Sequence, residues 1–300
     1  MSRPASPLNA ALARETLVLD GGLSNQLADQ GCDLTDALWS ARLLADAPEQ
    51  LRAAHAAYVA AGARVLITAS YQASFEGFAR RGVPRRTAAG LFARSVHLAR
   101  AAADGHAVYV AASVGPYGAV LADGSEYRGR YGRTTAELTA FHRPRVEALA
   151  AAEPDVLALE TVPDVREAEA LLRAAEGCGV PVWLSYTVAG ERTRAGQPLP
   201  EAFAVAAGND QVVAVGVNCC APRDVAPAVA AATAATGKPA VAYPNSGEGW
   251  DATRGAWRGP GTYAAARAPH WRDAGARLVG GCCRVGPSDI AATATALATR

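Results

Sequence analysis

Ala276-Arg277-Leu278-Val279-Gly280-Gly281-Cys282-Cys283-Arg284 reads as a short apolar strand that breaks at two glycines and delivers two thiols into a loop. The same grammar appears upstream in Val215-Gly216-Val217-Asn218-Cys219-Cys220, where an apolar strand also ends in cysteine. Two thiols at one strand end and a third at another can converge on one metal ion only if the two strand ends face each other. A parallel sheet closed into a barrel puts every strand end of one polarity on one rim. Three protein ligands with an open fourth position is the pattern of a catalytic zinc, whereas structural sites are usually closed by four.

Working outward, short β-branched runs alternate with alanine-rich helical stretches. Strands are expected at 17–20, 65–68, 108–113, 156–160, 181–186, 212–218, 239–243 and 276–280. Helical patterns lie at 48–61, 86–103, 135–152, 165–176, 200–207, 223–236, 263–274 and 288–298. Thr134 with Glu137 three residues on is a capping box for the third of these. Continuous apolar strands separated by helices argue for a parallel sheet covered on its outer face. Eight such units make a single (β/α)₈ barrel, α/β in class, with an open doubly wound sheet as runner-up. The segments that follow strands are long (117–133, 187–199, 245–261), and those that precede them are short. Asp20, Thr68, Ser113, Glu160, Cys219, Asn245, Cys282 and Cys283 all follow strands, so the barrel would place them on one rim. No Pro- or Ser-rich linker divides the chain, so residues 17–300 read as one barrel domain after an N-terminal extension, 1–16.

Composition narrows the function. The 300 residues carry a net charge of +1, which gives no electrostatic case for nucleic acid or an anionic membrane. No apolar run approaches the roughly 20 residues that span a bilayer. The first residues lack the basic-then-apolar order of a secretory signal, so a cytoplasmic, reducing location is the expectation. Six cysteines in that setting read as metal or catalytic thiols rather than disulfides. Cys32 and Cys178 read as small buried hydrophobes. Strand alternation sends Cys219 and Cys220 to opposite faces, so one of the two is a spectator. Cys282 and Cys283 are too close in sequence for ordinary disulfide geometry with each other.

Asp20-Gly21-Gly22 offers a carboxylate for an ammonium group and glycines that allow close approach to a ligand carboxylate. Glu160 offers a second rim carboxylate. The stretches Ser113–Tyr127 and Tyr243-Pro244-Asn245-Ser246-Gly247-Glu248 combine acids, glycines and tyrosines, as a loop enclosing a cation would. The five histidines fall mostly on helices and receive no role. Lys238 is the only lysine and precedes a strand, which puts it on the wrong face for a Schiff-base aldolase.

Taken together, Asp20-Gly21-Gly22, Glu160-Thr161, Gly216-Val217-Asn218-Cys219 and Gly280-Gly281-Cys282-Cys283-Arg284 resemble the homocysteine S-methyltransferase family over nearly the whole chain. The two tyrosine-bearing loops resemble its S-methylmethionine-using branch. That resemblance implies a zinc-dependent barrel that methylates L-homocysteine to methionine, with small-molecule substrates, homocysteine and a sulfonium methyl donor, as its partners. It implies zinc on Cys219, Cys282 and Cys283, and homocysteine held by Asp20, Gly21, Gly22 and Glu160, with Asn245 beside them. The family motif has one cysteine after the asparagine, whereas here Cys220 follows Cys219. S-adenosylmethionine, betaine as donor, selenocysteine as acceptor, and a non-catalytic zinc- or thiol-binding protein are the other readings.

Overall fold

The computed structural model describes residues 3–36, 38–251 and 256–299. Eight strands form one parallel sheet: β1 (Leu17–Val18), β2 (Val65–Ile67), β3 (Tyr109–Val114), β4 (Val156–Val162), β5 (Val182–Tyr186), β6 (Val212–Asn218), β7 (Ala240–Tyr243) and β8 (Ala276–Val279). Each neighbour in sequence is a neighbour in space, and β8 pairs with β1 through Leu17↔Leu278 and Val18↔Val279. A bridge between Leu19 and Val65 joins β1 to β2 and brings the sheet round on itself. The expected (β/α)₈ barrel is therefore the observed fold. Its last crossover helices are α1 (Pro48–Ala60), α2 (Arg85–Ala102), α3 (Thr135–Ala150), α4 (Val165–Ala175), α5 (Leu199–Ala204), α6 (Val225–Thr236), α7 (Ala268–Asp273) and α8 (Pro287–Ala298). The capping box at α3 is present, with Glu137 N–H donating to Thr134 Oγ1 at 3.2 Å and Thr134 N–H to Glu137 Oε2 at 2.8 Å.

Side-chain alternation along the strands builds two separate cores. Outward residues such as Val110, Leu157, Leu184, Val215 and Ala242 pack under the helices. Inward residues Leu17, Leu19, Val65, Tyr109, Ala111, Val156, Ala158, Trp183, Ala214, Val241 and Leu278 fill the barrel. A short helix, Leu8–Leu12, adds Leu8, Ala11 and Leu12 to that inner core, and Tyr109 Oη donates to the Ser6 carbonyl at 2.8 Å. It plugs the end of the barrel opposite the C-terminal rim. Cys32 and Cys178 are half-buried against the outer core, and Lys238 Nζ donates to the Asn209 carbonyl just before β7.

The rim carries the long segments. Antiparallel pairs form at Val188–Ala189 with Arg192–Thr193 and at Gly249–Asp251 with Ala256–Arg258. Residues 252–255 of the expected 245–261 loop lie outside the described residues. Among the described residues, no helix is long and apolar enough to cross a membrane.

Candidate active site and metal centre

The inward positions nearest the rim are polar rather than apolar. Ser113 on β3, Glu160 on β4, Ser185 on β5, Asn218 on β6 and Tyr243 on β7 continue the inner alternation and are all buried. Burial obliges such groups to bond one another. Ser113 Oγ donates to Glu160 Oε1, and Tyr243 Oη donates to Glu160 Oε2 at 2.9 Å. The Tyr243 and Ser185 hydroxyls meet at 2.9 Å, and Trp183 Nε1 donates to Tyr243 Oη at 3.2 Å. Ser185 Oγ donates to Asn218 Oδ1 at 2.8 Å, and that same oxygen accepts from Thr161 N–H at 2.7 Å. Asn218 Nδ2 donates to Thr161 Oγ1 at 2.7 Å. Asn218 thus holds Thr161 in a left-handed conformation, φ 57°, where the β4–β5 register slips. That bulge leaves Glu160 facing the barrel axis while Val162 packs outward.

Glu160 accepts two hydroxyl hydrogen bonds and, among the described residues, has no ion-pair partner. Burial pushes its carboxyl up to about 7, against the lowering effect of Ser113 and Tyr243. Asp20, just past β1, is buried too. Burial holds its carboxyl well above the usual range, the Ile67 N–H on Oδ2 at 2.8 Å opposes this, and the Glu160 charge adds to it. Asp20 Oδ1 is buried with no hydrogen-bond partner. Two like carboxyls sharing a water-poor space, one with an orphaned oxygen, form a receptor for a cation with N–H donors.

The cysteines approach from the next strands round. Cys219 follows β6 in a left-handed conformation, φ 47°, its N–H donating to the Tyr243 carbonyl at 3.2 Å and its carbonyl accepting from Thr187 Oγ1 at 3.1 Å. Cys282 N–H donates to the Pro244 carbonyl at 2.7 Å, and Cys283 N–H to Asn245 Oδ1 at 3.2 Å. Asn245, placed among substrate contacts from the sequence, bonds the backbone of a thiol-bearing residue. Its own N–H donates to the Cys220 carbonyl at 2.9 Å. Gly22 N–H is engaged by the Val285 carbonyl at 2.9 Å, and a Cβ on Gly22 would come within 2.6 Å of the Cys282 carbonyl oxygen. The glycines after β1 therefore let the Cys282–Val285 loop close against Asp20. A side chain on Gly281 would run into Val285, so the turn that places both thiols requires glycine there.

The sulfurs of Cys219, Cys282 and Cys283 lie within 4.8 Å of one another. Cys282 and Cys283 Sγ are 4.0 Å apart, close to the roughly 3.8 Å of two thiolates on one tetrahedral zinc. Cys219 and Cys282 Sγ are in disulfide contact, with Cα atoms 5.6 Å apart. As thiolates, all three are within reach of one ion, and an all-sulfur set is soft. Burial pushes the Cys283 thiol up to about 11, so ionising it calls for a cation. The donor set thus fits a metal. Cys220 packs in the outer core, its thiol pushed up to about 12 by burial.

Three residues that the sequence did not single out individually complete the surroundings. Tyr127, on the 3₁₀ turn Ser125–Tyr127, lies beside Cys283, and its hydroxyl lowers that thiol against the effect of burial. Tyr71, after β2, lies beside Thr161 and within electrostatic reach of Tyr127, Glu126 and Glu160. Buried Arg145 on α3 pins that rim by donating to the Gly115 carbonyl at 3.1 Å and the Tyr71 carbonyl at 2.8 Å. Beneath it, His142 and Glu167 pair at 3.0 Å, and Glu167 accepts from the Tyr117 N–H at 2.5 Å.

Known proteins of this build share both chain and fold. A family model described as homocysteine S-methyltransferase matches residues 17–297. The Escherichia coli homocysteine S-methyltransferase is 45% identical, with 96% of this chain and 97% of the relative covered. The Bacillus subtilis homocysteine S-methyltransferase YbgG is 41% identical, over 91% and 92%. The crystal structure of E. coli MmuM in its metallated form superposes with a TM-score of 0.86 at 44% identity, covering 97% of this chain and 99% of that one. Its oxidised form superposes with a TM-score of 0.85.

Proposed function

The chain belongs to the homocysteine S-methyltransferase family and is a methyltransferase acting on homocysteine; from that premise we propose that the donor is a sulfonium, S-methylmethionine, and the metal zinc. The observation that carries the metal is the three-sulfur cluster of Cys219, Cys282 and Cys283. Zinc held by those thiolates would supply ionisation of the acceptor thiol at neutral pH.

The side chains bind and position. Asp20 and Glu160 receive the α-ammonium of homocysteine, which fills the unmet bonding capacity of Asp20 Oδ1 and offsets two buried like charges. Gly21 and Gly22 supply the close backbone surface beside it. Asn245 and the Pro244 carbonyl fix the backbone of Cys283 and Cys282 so that the thiols do not drift. The acceptor thiolate attacks a donor methyl in line. One C–S bond forms, the donor's C–S bond breaks, and its electron pair stays on the donor sulfur, which leaves as a neutral thioether. The thiol proton has already gone to solvent, and no protein acid or base takes part. Catalysis on this account is orientation of two sulfurs, a large effect when the geometry is held.

The test is methyl transfer by zinc-loaded protein from S-methylmethionine, S-adenosylmethionine and betaine in parallel. S-methylmethionine should give the highest kcat/KM. Transfer from betaine alone would overturn the donor.

A further inference from the structure

Glu126 is the acid that the account so far leaves without work. It lies in the turn Ser125–Tyr127, whose path is fixed by Gly118: a Cβ there would come within 2.5 Å of Glu126 N. Its Oε2 is buried with no hydrogen-bond partner, and no ion pair among the described residues includes it. Burial and the nearby Asp123 both raise its carboxyl above the usual range. Tyr71, its chain neighbour Tyr127 and the Cys283 thiol all lie within electrostatic reach of it. Arg194, exposed, has its guanidinium carbon 5.9 Å from the Tyr127 ring centroid.

We propose that Glu126, flanked by Tyr71 and Tyr127, is the anionic wall of the donor pocket and selects a positively charged methyl donor over its neutral thioether product. This rests on the methyl-transfer reading above and names the residue that recognises the donor's charge. A sulfonium has a fixed positive charge and no proton to donate. Hydrogen bonds cannot recognise it, whereas a carboxylate and the faces of aromatic rings can. Tyr127 adjoins both regions, next to Glu126 in the chain and beside the Cys283 thiol, so the donor's methyl would lie next to the thiol cluster. On transfer the acceptor sulfur gains the methyl, the donor sulfur keeps the bonding pair, and the positive charge vanishes. The attraction to Glu126 ends at that moment, which favours product release. Because the charge fades already in the transition state, Glu126 binds the ground state better than the transition state. Its contribution therefore belongs in KM and not in kcat.

Glu126→Gln tests this in the zinc-loaded full chain. The KM for S-methylmethionine should rise about tenfold to a hundredfold. The KM for homocysteine should hold, and kcat should hold or rise. Without homocysteine, so that nothing turns over, calorimetry should show wild type preferring S-methylmethionine to methionine by about tenfold or more, and the variant losing that preference. S-adenosylmethionine titrated alongside shows which sulfonium the wall accepts. Glu126→Asp keeps the charge and should recover part of the preference. An unchanged preference in Glu126→Gln, or an equal fall in kcat for all donors, would overturn the proposal. A lost preference in a protein that methylates homocysteine from no sulfonium would sustain the charged wall and overturn the donor reading instead.

Discussion

Replacing Glu160 by glutamine should stabilise the ligand-free protein while disabling it. The native carboxyl sits at about 7 because burial disfavours its charged form, against an ordinary value of 4.5. A raised acid binds its proton more tightly folded than unfolded. Its contribution is intact below the unfolded value and is lost as pH rises through the folded one. The loss begins near pH 4.5 and is complete a little above pH 7. At about 1.36 kcal/mol per unit, the difference amounts to about 3 kcal/mol. Glutamine removes that penalty and can still be satisfied, since its amide can donate to one of the Ser113 and Tyr243 hydroxyls and accept from the other. The assay is reversible urea unfolding of both proteins between pH 4 and pH 8.5. The wild-type stability should fall relative to the variant by about 3 kcal/mol over that range. Asp20 contributes its own slope to both proteins, and losing the Glu160 charge also relaxes the Asp20 carboxyl downward, so the difference between the curves reports Glu160 together with its coupling to Asp20. The variant should also bind homocysteine poorly, having lost a charge that faces the ammonium. Parallel stability curves would refute the reasoning, because Glu160 would then ionise as freely folded as unfolded.

Other expectations are more local. Cys282→Ser should lose zinc by elemental analysis and lose methyl transfer with it, whereas Cys220→Ser should keep both and lower stability by about 1 to 3 kcal/mol, since it buries a hydroxyl in the outer core. Asn245→Ala removes the acceptor for Cys283 N–H, and competition with a chelator should show zinc affinity reduced about tenfold to a hundredfold. Leu12→Ala opens a cavity in the inner core and should lower unfolding free energy by about 2 to 5 kcal/mol, although Leu12 lies far from the rim.

The barrel was legible because each strand carries its own apolar run and each crossover helix its own alanine-rich stretch. The strands 212–218 and 156–160 needed only small extensions or none, since periodicity is a local property. The rim followed from topology, which places Asp20, Glu160 and the cysteines after strands without any knowledge of contacts. Cys219 separates from Cys220 for a partly different reason than alternation: the strand ends at Asn218, and Cys219 turns left-handed before Cys220 packs outward. The plug Leu8–Leu12 was hidden because one and a half turns give too few residues for a period, and its partners are far away in sequence. The Asn218–Thr161 clamp and the Tyr127–Cys283 contact were hidden likewise, since 57 and 156 residues separate the partners. Cross-barrel contacts are set by closure, and only three-dimensional coordinates report them.

The central claim is that the acceptor thiol takes a methyl from a sulfonium, and product stoichiometry tests it most directly. Zinc-loaded protein would be given homocysteine deuterated in its backbone together with unlabelled S-methylmethionine, and the methionine counted by mass. Two methionines should appear for each homocysteine consumed, one deuterated and one not. Deuterated methionine without its unlabelled partner would show that the methyl came from elsewhere, and no deuterated methionine at all would contradict the account.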